Sequence, residues 1–256
     1  MIENISIGVF TCEAFKSNCY TLKNTFLKHF KNYLFFGSKE DLSMPCYTHN
    51  KVEGDDYNSA TSKHFLSLKK QFEIHNNCDW FYIGGVDIFV HPQNTKNLLK
   101  NYNSNIPYYL GGHQDYRVIE NEKFCFCSGG PGIFLSKKLL ESMYPNLESY
   151  IERWKDTKLH SKYVTYAGCD VATAYFLKKD FNIEPTLCPG FYHLNYTEYL
   201  HANKNIYPEG LHLHYELTSH PIAFHSLKTP ESVEDLYNRA IIWDTPFNSC
   251  NSLLID

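Results

Sequence analysis

Apolar residues recur along this chain in two rhythms that alternate. Ile5, Ile7 and Val9 alternate with Ser6 and Gly8, a period of two that predicts a strand over residues 5–11. Over residues 16–30 the spacing becomes helical, with Tyr20, Leu22, Phe26, Leu27 and Phe30 as the apolar positions, and a second strand over 33–36 ends at Gly37-Ser38. Residues 43–56 are polar, contain Pro45 and Gly54, and read as a loop. Residues 59–75 then form an amphipathic helix with Phe65, Leu68 and Phe72 on one face. A strand over 79–83 passes through Gly84-Gly85-Val86-Asp87 into the apolar 88–90 and a short helix over 92–99. Beyond it come a strand over 108–111, a glycine-dense segment over 124–132 and helices over 136–143, 170–179 and 232–243. The stretch between Phe191 and Phe224 is rich in aromatics and histidine. This βαβ rhythm predicts an α/β fold with a central, mostly parallel sheet flanked by helices.

Composition narrows the function classes. The 256 residues, 43% hydrophobic and 20% charged, are ordinary globular usage, and with no linker or composition shift they are expected to form one domain over 1–256. The aromatic share of 16% suits stacking on bases or sugars and equally suits a core. A net charge of −4 with no basic run longer than a Lys pair excludes nucleic acid as an expected partner. No transmembrane segment is expected, because no apolar stretch approaches the roughly 20 residues a membrane span requires. The N-terminus has no basic leader, so the chain as written is expected to be soluble, either cytoplasmic or a lumenal domain without its anchor. The nine cysteines show no zinc-type CxxC spacing and read as free thiols.

Four short stretches could carry chemistry. Asp87 follows an apolar strand and is preceded by glycines that admit a ligand close to the backbone; ligands of open α/β sheets bind at such carboxyl ends. The bland alternative is a structural Asx turn. Gly129 and Gly130, in Ser128-Gly-Gly-Pro-Gly132, lack both dinucleotide-loop and Walker spacing and point to close backbone packing against a ligand or strand. Asp170 precedes an apolar-periodic helix, where it can be an N-cap, a general base for an acceptor hydroxyl, or both. His225 ends the apolar run 221–224, expected at the same sheet edge as Asp87, whereas His212 and His214 form an HxH pair of the kind that can bind metal but commonly does not.

Taken in order, these segments resemble the β1,3-glycosyltransferase family that includes Fringe and the core 1 galactosyltransferase. Thr11 with Asn18 through Thr25-Phe26 is similar to the family's opening strand and helix. Asp56-Tyr57 with Lys63, then Asp79-Trp80-Phe81, is similar to its Lys-bearing helix and metal strand. The 128–136 segment resembles its Ser-Gly-Gly-Ala-Gly, Cys169-Asp170-Val171 its Glu-Asp-Val, and Ala223-Phe224-His225 its Ser-Phe-His. The resemblance implies a GT-A type nucleotide-diphospho-sugar transferase fold and a UDP-sugar donor with Mn2+ or another divalent cation. It further implies an inverting transfer of a hexose or N-acetylhexosamine, in β1,3 linkage, to a glycan or glycosylated acceptor. By position, Asp87 and His225 would be the metal ligands and Asp170 the catalytic base, with Thr11, Ser38, Gly85, Val86, Asp87, Gly129 and Gly130 at the donor. The chain departs from the pattern where Gly85 and Val86 replace the first two of three acids, where Cys169 replaces an acid, and where Ser38 replaces an Asp near the nucleobase. A non-catalytic, chaperone or sugar-binding relative is the alternative reading.

Overall fold

A computed structural model describes residues 1–41, 43–112, 114–159, 168–193 and 220–242. Along them, β1 (Ile2–Phe10) leads through α1 (Lys16–Asn24) to β2 (Phe30–Phe36) and a two-residue β3 (Cys46–Tyr47). The helix α2 (Ala60–Ile74) returns the chain to β4 (Trp80–Gly85), followed by β5 (Phe89–Val90) and α3 (Pro92–Leu99). Next come β6 (Tyr109–Gly111), a hairpin of β7 (Gln114–Ile119) and β8 (Glu122–Cys127), β9 (Ile133–Ser136), α4 (Lys137–Met143) and α5 (Leu147–Leu159). After them lie α6 (Cys169–Phe181), β10 (Thr186–Leu187), β11 (Phe191–Tyr192), β12 (Ala223–Phe224) and α7 (Pro230–Ile242).

Seven strands form the central sheet in the order β10-β6-β9-β4-β1-β2-β3. Its core is parallel: β1 pairs with β2 on one side and β4 on the other, with Phe10 opposite both Phe36 and Gly85. Strand β9 runs antiparallel between β4 and β6. A second sheet, β11-β12-β5, sits beyond the end of β4, and Phe224 pairs with Phe89 across it.

The period-two pattern sorts side chains to the two faces. Ile5, Ile7, Val9, Trp80 and Tyr82 enter one core with Leu22 and Phe26 from the α1 side and Val233 and Leu236 from α7. Phe81 and Ile83 enter the other, against Phe65 and Leu68 of α2, Leu139 of α4, Trp154 of α5 and Phe176 of α6. The aromatic share is largely spent here: Tyr150 stacks on Phe176 at 4.3 Å, and Tyr192 is buried against Phe224.

The structure differs from the pattern in three places. The first helix ends at Asn24, because the Thr25 hydroxyl donates to the Thr21 carbonyl (2.7 Å); Phe26 and Leu27 then turn into the core and Phe30 begins β2 opposite Ile2. The segment over 124–132 is the second arm of a hairpin plus a turn, and β9 intervenes before α4, whose N-cap is Ser136. Helix α5 is not among the expected helices, although Leu147, Tyr150, Ile151 and Trp154 fall at helical spacing and form its buried face. The HxH pair at 212 and 214 lies outside the described residues, as does the end of the helix expected to reach Trp243. Eight cysteines are described and all are free thiols, seven of them buried. No helix among the described residues is long and apolar enough to cross a membrane.

Candidate functional site

The carboxyl ends of β1 and β4 open onto a cleft of about 630 Å3, a volume that suits a ligand of nucleotide-sugar size. Its floor is Phe10 and Thr11 after β1 and Gly85, Val86 and Asp87 after β4. The Ser128–Gly130 turn and Asp170 form one wall, and His225 and Lys228 another.

Asp87 reaches the cleft just past β4, and its backbone carbonyl accepts from the Leu227 N–H (3.1 Å), tying the strand end to the chain after β12. Its carboxylate faces that chain rather than forming an Asx turn. His225 Nε2 lies 3.2 Å from Asp87 Oδ2, and the Lys228 ammonium pairs with the same oxygen. Burial alone would push the Asp87 carboxyl up, but the His225 and Lys228 contacts outweigh it and hold it at about 2. His225 Nδ1 lies 2.8 Å from the His193 carbonyl, which can only accept, so Nδ1 carries a proton. Nε2 is therefore the ring nitrogen that faces Asp87 and the one that would be given to a metal ion.

Asp170 is the second residue of α6, with Gly168 at the cap position, so it does not cap the helix itself. One carboxylate oxygen accepts from the Gly129 N–H (2.9 Å) and the other from the Val171 N–H (2.8 Å). Burial pushes its pKa above the ordinary carboxylate value against the pull of these donors, which makes it a stronger base. The neighbouring Cys169 thiol is also raised by burial and stays protonated. Helix α6 is seated on α2 through a buried pair: the Thr173 hydroxyl donates to the Cys169 carbonyl (2.7 Å), so the His64 Nε2–H donates to Thr173 (3.0 Å). Burial holds His64 neutral, with its pKa near 3.

The two glycines explain how these groups come together. A Cβ on Gly129 would sit 2.8 Å from the Asp170 Cβ, and one on Gly130 would sit 2.7 Å from His225 Nδ1. Consecutive Cα atoms are about 3.8 Å apart, so Asp170 and His225 flank a single peptide unit. The buried Tyr82 hydroxyl donates to the Pro131 carbonyl (2.7 Å) and holds this turn to β4.

Thr11 lines the floor and accepts from the Cys19 thiol (3.2 Å), and Gly85 and Val86 bring backbone rather than carboxylates to the cleft. Ser38 lies in a smaller adjoining pocket that shares Thr11 and Cys12 with the cleft. Ser38, the buried Lys63 (2.7 Å) and the Glu13 N–H (2.8 Å) all favour the charged form of the Asp55 carboxylate. Burial raises the Asp55 pKa, but these three groups outweigh it and bring it below the ordinary value.

Asp87 and His225 offer one oxygen and one nitrogen to a hard or borderline cation. Among the described residues no third His, Cys, Asp or Glu joins them. Such a short donor set fits a divalent ion whose remaining ligands come from a diphosphate and water.

The family profile for Fringe, described as Fringe-like, matches residues 1–238. The chain belongs to the Fringe-like family. Human chondroitin sulfate synthase 3 is 23% identical over 181 residues, which are 65% of this chain and 19% of that protein's length. A glycosyltransferase involved in the glycosylation of the major capsid of PBCV-1 superposes with a TM-score of 0.50 at 10% identity, over 92% of this chain and 98% of that one. Mouse xyloside xylosyltransferase 1 superposes with a TM-score of 0.49 at 8% identity, over 88% and 98% of the two chains. The Fringe-like chain therefore has the GT-A fold, its large, mostly parallel sheet flanked by helices.

The sequence pattern signalled Asp87, Asp170, His225 and the glycine pair of this Fringe-like site, but not Lys228 or Asp55. Lys228 carries no signal in spacing: Ser226 adopts a left-handed φ of 66°, and this bend brings Lys228 back to the carboxylate that His225 also faces.

Proposed function

We propose that this Fringe-like protein is an inverting glycosyltransferase that moves a hexose or N-acetylhexosamine from a UDP-sugar to an acceptor hydroxyl, with β1,3 linkage expected. The observation that carries this reading is the shared peptide unit at Gly129-Gly130, which holds the part-buried Asp170 carboxylate and the Asp87-His225 pair in one cleft. Asp170 accepts the proton of the acceptor hydroxyl as its oxygen attacks the anomeric carbon. The bond from that carbon to the diphosphate breaks on the opposite face, and a single displacement inverts the centre. Asp87 and His225 would hold a divalent cation, Mn2+ being expected, which when bound offsets the charge of the departing diphosphate. Gly85 and Val86 let the diphosphate approach the backbone, and Thr11 lies where the nucleoside enters. The acceptor class is a glycan or glycosylated molecule.

The test is UDP release across a panel of UDP-sugars, with Mn2+ and with EDTA, for the wild-type chain and Asp170→Asn. One donor should turn over, and loss of the base should lower kcat by about 10^2–10^4-fold while UDP binding persists. Turnover that survives Asp170→Asn unchanged removes Asp170 from the mechanism. No turnover of any donor, together with no UDP binding, favours a non-catalytic sugar-binding or chaperone role.

A further inference from the structure

Lys228 is a charged group of this cleft that the mechanism leaves unused. Its ammonium and His225 Nε2 converge on one atom, Oδ2 of Asp87. That oxygen and that nitrogen are also the donors a divalent ion would take. The ammonium and such an ion are therefore competitors for Asp87, which is a single negative charge because Gly85 and Val86 stand beside it in place of further acids.

The attachment of Lys228 separates a fixed backbone from a movable charge. The adjacent Leu227 N–H is bonded to the Asp87 carbonyl (3.1 Å), and the Asn18 side-chain amide donates to the carbonyls of both Leu227 and Lys228 (3.4 Å each). The Lys228 side chain is 58% exposed, and its flexible four-carbon stem can carry the ammonium several ångströms without disturbing these bonds. The other lysine of the cleft, Lys63, is buried and committed to Asp55. Lys228 is thus the cation that can be redistributed when an anion enters.

We propose that Lys228 is the resident cation of the donor site: it neutralises Asp87 before the nucleotide arrives, and moves to the diphosphate when a divalent ion takes Asp87. The inference rests on the reading that Asp87 holds that ion. It makes metal binding weak in the absence of nucleotide and couples it to donor binding, since each ligand relieves the charge the other leaves unpaired.

The experiment is titration of Mn2+, followed by its electron paramagnetic resonance signal, into wild type, Lys228→Met, Lys228→Arg and Asp87→Asn, each without nucleotide and with UDP. Without nucleotide, Lys228→Met should bind Mn2+ about two- to fivefold more tightly than wild type, the scale of releasing one partly exposed ion pair. Lys228→Arg keeps the charge and should stay close to wild type. At saturating Mn2+, Lys228→Met should bind UDP several-fold more weakly, since its phosphate partner is gone. Equal Mn2+ uptake by Lys228→Met and wild type without nucleotide overturns the proposal. If Asp87→Asn nevertheless loses Mn2+ and UDP binding together, the transferase site stands and the Lys228 role alone fails. Wild-type Mn2+ and UDP binding retained in Asp87→Asn overturns both.

Discussion

Asp87 and Asp170 are two part-buried carboxylates driven in opposite directions by their partners. Asp87 faces an imidazole and an ammonium and is held near 2, so it is ionised at any working pH. Asp170 faces only backbone N–H groups, and burial wins, raising its pKa. Divergent environments of this kind separate a charge-holding role from a proton-accepting one. The sign of the pH dependence follows. Asp170 must be ionised to accept a proton, so kcat/KM should fall as pH drops through its folded pKa, and the acid limb should lie above the ordinary carboxylate value of about 3.9. A pH-rate profile over the acid range checks this; a limb at or below the ordinary value would remove Asp170 as the base.

At the scale of elements, the site depends on how a turn and a helix are anchored rather than on the turn's own stability. The Ser128–Gly132 turn closes on itself with a Gly132 N–H to Gly129 carbonyl bond (3.0 Å), but its tie to the sheet is the Tyr82 hydroxyl on Pro131. Tyr82→Phe leaves that carbonyl without its donor in a buried setting. It should lower stability by about 1–2 kcal/mol, read as a lower urea midpoint, with a far smaller loss of kcat than Asp170→Asn. An unchanged midpoint would mean that the turn is held by its neighbours alone. The alternation of β1 and the continuous apolar run of β4, bounded by Asp79 and the glycine pair, made the two strands legible, and Asp87 with them, because the end of a strand is a local property. The hairpin β7-β8 was not legible: its first arm leaves Tyr116 and Val118 exposed among polar residues, and the buried Phe124 to Cys127 of its second arm run straight into the glycines of the turn.

Across the whole molecule, the cleft is assembled from segments far apart in sequence: the ends of β1 and β4, the 128–130 turn, the start of α6 and the chain after β12. A ligand that touches all of them is expected to stabilise the native state as a unit. UDP with Mn2+ at about 100 times its dissociation constant should raise the unfolding temperature by roughly 5–10 °C. A thermal-shift measurement in which Mn2+ with UDP does no more than either alone would argue against a joint site.

What the sequence by itself determined is the alternation of strands and helices, the two-faced sheet and the residue types that carry the proposed chemistry. Their spacing within short segments records local geometry, and the order of those segments pointed to the Fringe-like family. The tertiary structure alone decided which groups share an atom. Lys228 reaches Asp87 only through the left-handed bend at Ser226, and Asp170 and His225 are neighbours only because Gly129 and Gly130 lack side chains where those groups press. Close approach between distant segments is a through-space property set by packing, and no periodicity along one chain encodes it.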